Sequence, residues 1–231
     1  MSEKRNIFMK NSKIFIHKSA FVDKGAKIGE GTKIWHNVHI TENAIIGENC
    51  KIGQNCYIAG KLGNGCRIQN NVNIYKGVDL EDYVFCGPSM TFTNDLNPRA
   101  KYPKNGEWTE TVVKEGASFG AGSVILCGIT IGKHALIGAG SVVTKDISAY
   151  TLVYGNPAKI QGFVCECGKK MPLNFRYYTC TKCSRNYKQN KYKVEEIKKN
   201  KIDVKILFTK NGQKTIRKPH SIQKFIPARK E

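Results

Sequence analysis

Four cysteines near residue 170 carry the spacing in this sequence that most directly implies chemistry. Cys180 and Cys183 form a C-x2-C knuckle, and Cys165 and Cys167 form a tighter C-x-C pair upstream, with 12 residues between the pairs. Two thiolate pairs around a short loop match the ligand set of a tetrahedral structural Zn2+. The single-residue spacing of the first pair departs from the usual knuckle, and two pairs without metal are the alternative reading. With sulfur in all four positions the ion would be structural and would not catalyse. A second candidate is the polar stretch 93–112, TNDLNPRAKYPKNGEWTETV, which places an amide, a carboxylate and a guanidinium at Asn94, Asp95 and Arg99. A structureless loop of that length inside a compact fold is usually a binding element.

The elements that must position these residues repeat with a period of six. An aliphatic residue recurs at Ile16, Val22, Ile28, Ile34, Ile40, Ile46, Ile52 and Ile58, slips by two, resumes from Leu62 to Phe92, and returns from Val113 to Val143 after the polar stretch. Two residues before these positions sits a second, smaller register, including Thr32, Val38, Ala44, Cys50, Cys56, Cys66, Ala117 and Ser141. Two inward positions in six, spaced i, i+2 and followed by a turn, describe a short strand and a corner and exclude a helix. Three faces close a coil, so the 20 hexads predict six to seven coils of a parallel β-helix, about 30 Å tall. Cys50, Cys56 and Cys66 are then small buried side chains, and Cys86 falls on the aliphatic register.

Composition narrows the function. The chain has 231 residues with 40% hydrophobic and 24% charged, enough for a folded core. No stretch is long and apolar enough to span a membrane, and the N-terminus lacks the apolar core of a signal peptide, so a cytoplasmic protein without membrane insertion is expected. The net charge of +20 is unevenly placed: residues 184–231 carry 15 Lys+Arg against 4 Asp+Glu. The β-helical part is only mildly basic, so a polyanion argument concerns the tail, where no stacking pattern or groove-reading helix is evident and nucleic-acid binding is not expected. Within the tail, KILFTKNGQKTIRK alternates around Asn211-Gly212, which predicts a β-hairpin.

Four strings carry a more specific likeness: IWHNVHI (34–40), RIQNNVNIYKGVDLEDYVFCGPSMTFTNDLNPR (67–99), GASFGAGSVILCGITIGKHALIGAGSVVTKD (116–146) and YGNPAKI (154–160). The chain over about 14–163 resembles the hexapeptide-repeat sugar-nucleotide N-acetyltransferases that acetylate a 3-amino group, on UDP-linked 2-acetamido-3-amino-2,3-dideoxyglucuronic acid or on dTDP-linked 3-amino-3,6-dideoxyhexoses. The resemblance implies a left-handed parallel β-helix, a homotrimer with sites between subunits, acetyl-CoA as donor and a nucleotide sugar as acceptor. Asn94 matches the polar residue placed beside the amine. Asp95, His36 and His39 are the nearby candidates for a base. Arg99 is assigned to a carboxylate or diphosphate, and Asn70, Asn71, Glu81 and Asp82 to the sugar nucleotide. For acetyl-CoA the resemblance implies backbone around Gly120, Ala121, Ala139 and Gly140, Lys145 and Lys159 near the phosphates and Pro157 near the adenine. Hexapeptide carbonic anhydrases need three outward histidines, and the five here include no pair at that family's five-residue offset.

This reading divides the chain into a β-helical acyltransferase domain (1–163, with the insertion 93–112), a four-cysteine zinc-ribbon-like module (164–190) and a basic tail (191–231). A trimeric binding module that uses the basic tail is the competing function.

Overall fold

The computed structural model describes residues 14–103, 108–191 and 193–197, all within one compact unit, Met1–Ile197. The period of six becomes three parallel faces. Face A runs from Phe15–Ile16 through Lys33–Ile34, Lys51–Ile52, Arg67–Ile68, Phe85–Cys86, Ser118–Phe119 and Leu136–Ile137 to Thr151–Tyr154. Face B runs from Phe21–Val22 to Val142–Val143 in seven strands, and face C from Lys27–Ile28 to Thr130–Ile131 in six.

Most strands are two residues long because each turn allots six residues to one face and its corner. The second residue of each strand points inward, so Ile34, Ile52, Ile68 and Cys86 stack without exposure on face A. The smaller register is inside as well, with Thr32, Cys50, Cys66 and Ala117 fully buried. Each buried isoleucine contributes roughly 1.5–3 kcal/mol, which offsets the ordering of many short strands. Corner residues take the left-handed conformation where the chain turns: Asn37, Asn55 and Asn71 have φ of 53°, 57° and 60°. Asparagine tolerates this region because its short side chain hydrogen-bonds locally.

The slip between Ile58 and Leu62 is a shortened corner, Ala59-Gly60, between faces B and C. A side chain at Gly60 would collide with the Val78 carbonyl of the next coil. The insertion leaves the same edge two coils later. It spans 93–110 rather than 93–112, because Thr111 and Val112 are recruited into the strand Thr111–Val113, which pairs with Val78–Leu80. Cys127, outside both registers, is nonetheless buried.

After the last coil, Lys159–Val164 runs antiparallel to Thr151–Tyr154, and Lys170–Met171 continues the sheet. A separate three-stranded antiparallel sheet follows, Tyr177–Thr179, Asn186–Asn190 and Lys193–Ile197. Strand order therefore continues past residue 190 into the stretch expected to be tail. The hairpin expected at Asn211-Gly212 lies outside the described residues. Among the described residues no helix is long and apolar enough to cross a membrane.

Candidate active site

The triangular coil has three edges, and the residues singled out above are divided among them. The A–B edge carries His36, Asn70, Asn71, the Gly120-Ala121 corner and the Ala139-Gly140 corner. The C–A edge carries Glu81 and Asp82. The B–C edge carries Asn94, Asp95 and Arg99 in the insertion, and Lys145 two coils further on.

On the B–C edge the insertion is tied down at its base. The Asn94 carbonyl accepts from the Thr109 N–H at 3.3 Å, and Thr93 Oγ1 accepts from the Cys127 N–H at 2.9 Å. Asp95 Oδ1 accepts from the Asn97 N–H at 2.8 Å, a local turn that shapes the segment before Pro98. Arg99 is exposed and its Nη1 donates to the Pro98 carbonyl at 3.0 Å. Gly77 gives the loop its seat: it has a φ of 90°, accepts from the Thr111 N–H at 2.8 Å, and lies under Trp108.

The other two edges are occupied by coil-to-coil contacts. Asn70 Oδ1 accepts from the Gln54 N–H at 3.0 Å, and Asn71 Oδ1 accepts from Asn55 Nδ2 at 3.3 Å, continuing a ladder from Asn37. Asp82 Oδ1 accepts from the Asn64 N–H at 2.6 Å. Glu81 receives Lys114 Nζ at 2.8 Å and the Glu115 N–H at 3.0 Å, and the Lys114 contact holds its carboxyl below the ordinary value of 4.5. The Asn70, Asp82 and Glu81 oxygens thereby cap the corner N–H groups of Gln54, Asn64 and Glu115.

His36 lies in a corner, its ring 3.6 Å from that of His17. His39 points outward from face B and its Nε2 is 3.1 Å from Asp23 Oδ2. Three coils separate His39 from the strand preceding Asn94, about 14 Å along the axis. Neither histidine neighbours Asn94 within one chain, contrary to the expectation from sequence. A feature that sequence reasoning missed is the row of rings Phe21, His39, Tyr57 and Tyr75, with centroids 6.2, 5.5 and 5.8 Å apart, climbing toward the insertion. An aromatic side chain at every eighteenth position was the available signal.

At the end of the solenoid Lys145 and Lys159 come together. Both line a cavity of about 260 Å³ with Asp146, Ser148, Thr151 and Ala158. The turn holding Pro157, with a cis Asn156–Pro157 bond, folds across the last coil, where the Ala158 N–H donates to the Val142 carbonyl at 2.8 Å. Below it, Ala121 and Ala139 are stacked, exposed corner residues, and a side chain at Gly120 would meet the Ala139 backbone. This corner presents backbone and methyl groups only.

The four cysteines lie beyond this end. Their Sγ atoms are all within 4.8 Å of one another, with Cys165 to Cys183 at 3.3 Å and Cys167 to Cys180 at 3.7 Å, and all are free thiols.

Repeat, stacking and inward registers make the β-helical part of the chain a parallel β-helix built from six-residue repeats. The family model "Bacterial transferase hexapeptide (six repeats)" matches residues 25–60 and 110–145. The chain is similar to dTDP-3-amino-3,6-dideoxy-alpha-D-galactopyranose 3-N-acetyltransferase of Aneurinibacillus thermoaerophilus, 53% identical over 78 residues, which is 34% of this chain and 40% of that one. It is also similar to galactoside O-acetyltransferase of Lactococcus lactis, 32% identical over 105 residues, 43% of this chain and 50% of that one. The matches thus span half or less of these relatives' lengths. Among solved structures, PerB from Caulobacter crescentus in complex with CoA and GDP-perosamine aligns at 25% identity over 65% of this chain and 58% of that one, with a TM-score of 0.35.

Proposed function

We propose that this chain is an acetyl-CoA-dependent N-acetyltransferase acting on the 3-amino group of a nucleotide-linked amino sugar. The observation that carries the reading is the content of the B–C edge. The insertion that carries Asn94 and the two-lysine cavity share that edge, two coils or about 10 Å apart. Lys145 and Lys159 would hold the phosphates of acetyl-CoA, which supplies the acetyl group as a thioester. Pro157 would lie against its adenine, and the Gly120-Ala121 and Ala139-Gly140 corners would offer backbone along its length.

Amide formation needs a free amine held against an activated carbonyl with donors aimed at the oxyanion, so positioning supplies most of the acceleration. Asn94 cannot take a proton and would orient the amine or polarise the carbonyl. Asp95 is the nearest carboxylate to it in sequence and the candidate for proton removal. Arg99, exposed on the same loop, would pair with the diphosphate or with a sugar carboxylate.

Asn70, Asn71, Glu81 and Asp82, also assigned to the sugar nucleotide, lie on other edges and have partners within the solenoid. His36 and His39 lie too far from Asn94 in one chain. Any part these residues take in the site would come across a homotrimer interface, where edges of different chains meet. Exposed Phe21, Trp35 and Phe15 on the first coils support such self-association. The supply of acetyl-CoA and sugar nucleotides places the reaction in the cytoplasm. The four-cysteine module stands apart from this chemistry.

For the acceptor, the UDP-linked uronic acid and the dTDP-linked deoxysugar are the two candidates, and the Aneurinibacillus relative favours the second. The test is CoA thiol release with acetyl-CoA and a panel of UDP- and dTDP-linked 3-amino sugars, comparing wild type with Asn94→Ala. Turnover on one acceptor that falls about 100-fold with Asn94→Ala is expected. Absence of acetyl-CoA binding by the purified protein would overturn the reading and favour the binding module.

A further inference from the structure

We infer that Cys165, Cys167, Cys180 and Cys183 bind one Zn2+ as a closed tetrathiolate, and that this ion both folds residues 164–197 and fastens them to the last coil of the β-helix.

The sulfur geometry fits the ion. Four Zn–S arms of about 2.3 Å in a tetrahedron place the sulfurs about 3.8 Å apart. The Cys167 to Cys180 separation is 3.7 Å, and the whole set lies within 4.8 Å. The backbone is arranged as two knuckles. In each, the residue after the second cysteine is left-handed, Gly168 at φ 81° and Ser184 at φ 59°. Those turns aim N–H groups at sulfur: that of Cys167 at Cys165, those of Lys182 and Cys183 at Cys180, and that of Arg185 at Cys183. The Tyr187 hydroxyl, fully buried, lies 3.0 Å from Cys165 Sγ. N–H and O–H donors converging on sulfur are the outer shell that a metal-bound thiolate requires.

The module needs such an ion. Its own buried cluster is small, built around Tyr187, Phe163, Met171 and Val194, and two of the thiols themselves complete it. A core of that size rarely suffices without a staple. The cysteine pairs also bridge two sheets. Cys165 follows directly on Lys159–Val164, which belongs to face A, whereas Cys180 and Cys183 lie in the turn between Tyr177–Thr179 and Asn186–Asn190. An ion held by both pairs joins the solenoid to the last sheet. Beside it, Glu166 accepts from Arg185 Nη2 at 2.8 Å and faces His134 Nε2 at 3.8 Å, and the Tyr187 ring packs against Tyr150.

The experiment measures metal content of the full chain by elemental analysis, with Cys183→Ser and, as a cysteine control outside the cluster, Cys127→Ala. One zinc per chain in wild type and Cys127→Ala, lost in Cys183→Ser, is expected. Cobalt in place of zinc should give the visible absorption of tetrahedral thiolate coordination. Chelation with a thiol reagent should expose the chain beyond Val164 to protease while the β-helix stays resistant. One equivalent of iron instead of zinc, or wild-type protein that is metal-free with residues 165–197 protease-resistant, would overturn the inference. Metal content is independent of acetyl transfer, so failure of either reading leaves the other standing.

Discussion

The backbone N–H of Asn64 donates to Oδ1 of Asp82 over 2.6 Å, and the two residues occupy the same corner on successive coils. A carboxylate in that position is engaged in holding one turn of the solenoid to the next. Asp82→Ala should therefore lower stability by about 1 kcal/mol, the net worth of one such bond, and leave the KM for the acceptor unchanged. Denaturant melts and steady-state kinetics on the same variant separate this from a substrate role.

Glu81 supplies a pH dependence. Its folded value is depressed, first by Lys114, so the folded chain binds fewer protons than the unfolded chain in acid. The contribution is present above the ordinary value of 4.5 and is lost as pH falls through the depressed folded value. The stability gap between wild type and Glu81→Gln, measured by urea melts, should be open at neutral pH and close in acid. A gap that widens in acid would contradict the assignment.

Two corner glycines should respond differently to the same methyl group. At Gly120 a side chain meets the Ala139 backbone, which cannot swing aside, and the cost should be roughly 1–3 kcal/mol or more. At Gly140 the space is open and the penalty is the left-handed φ of 65°, about 1–2 kcal/mol. Melting temperatures of Gly120→Ala and Gly140→Ala should fall in that order.

Lys145 and Lys159 line one cavity. If both meet phosphates, Lys145→Ala and Lys159→Ala should each raise the KM for acetyl-CoA about tenfold, ~1.4 kcal/mol, with kcat retained. The effect should shrink at high salt, as expected of exposed charges.

The solenoid was legible because two registers agree at period six, so Ile34 and Thr32, or Ile52 and Cys50, mark the interior independently. The short corner at Ala59-Gly60 showed as a slip of two. What was not legible is which edge each corner joins. Asn71, Asp82 and Asn94 read as neighbours along the chain, yet successive corners belong to successive edges, so a coil spreads them around its circumference. Counting hexads in threes separates them. The partners of Glu81 and Asp82 were hidden because they come from coil stacking, 18 to 34 residues away. In the module the cysteine spacing pointed to the cluster, but the strand Lys193–Ile197 was masked by the stronger Asn-Gly signal outside the described residues.

The B–C edge tolerates a corner cut to two residues and an excursion from 93 to 110, yet Leu62 pairs with Leu80 and Leu80 with Val113 in unbroken register. The stacked faces are indifferent to what this edge carries. Scaffold and loop are therefore separate inheritances: a lineage can exchange the loop whole without renegotiating any layer of the core.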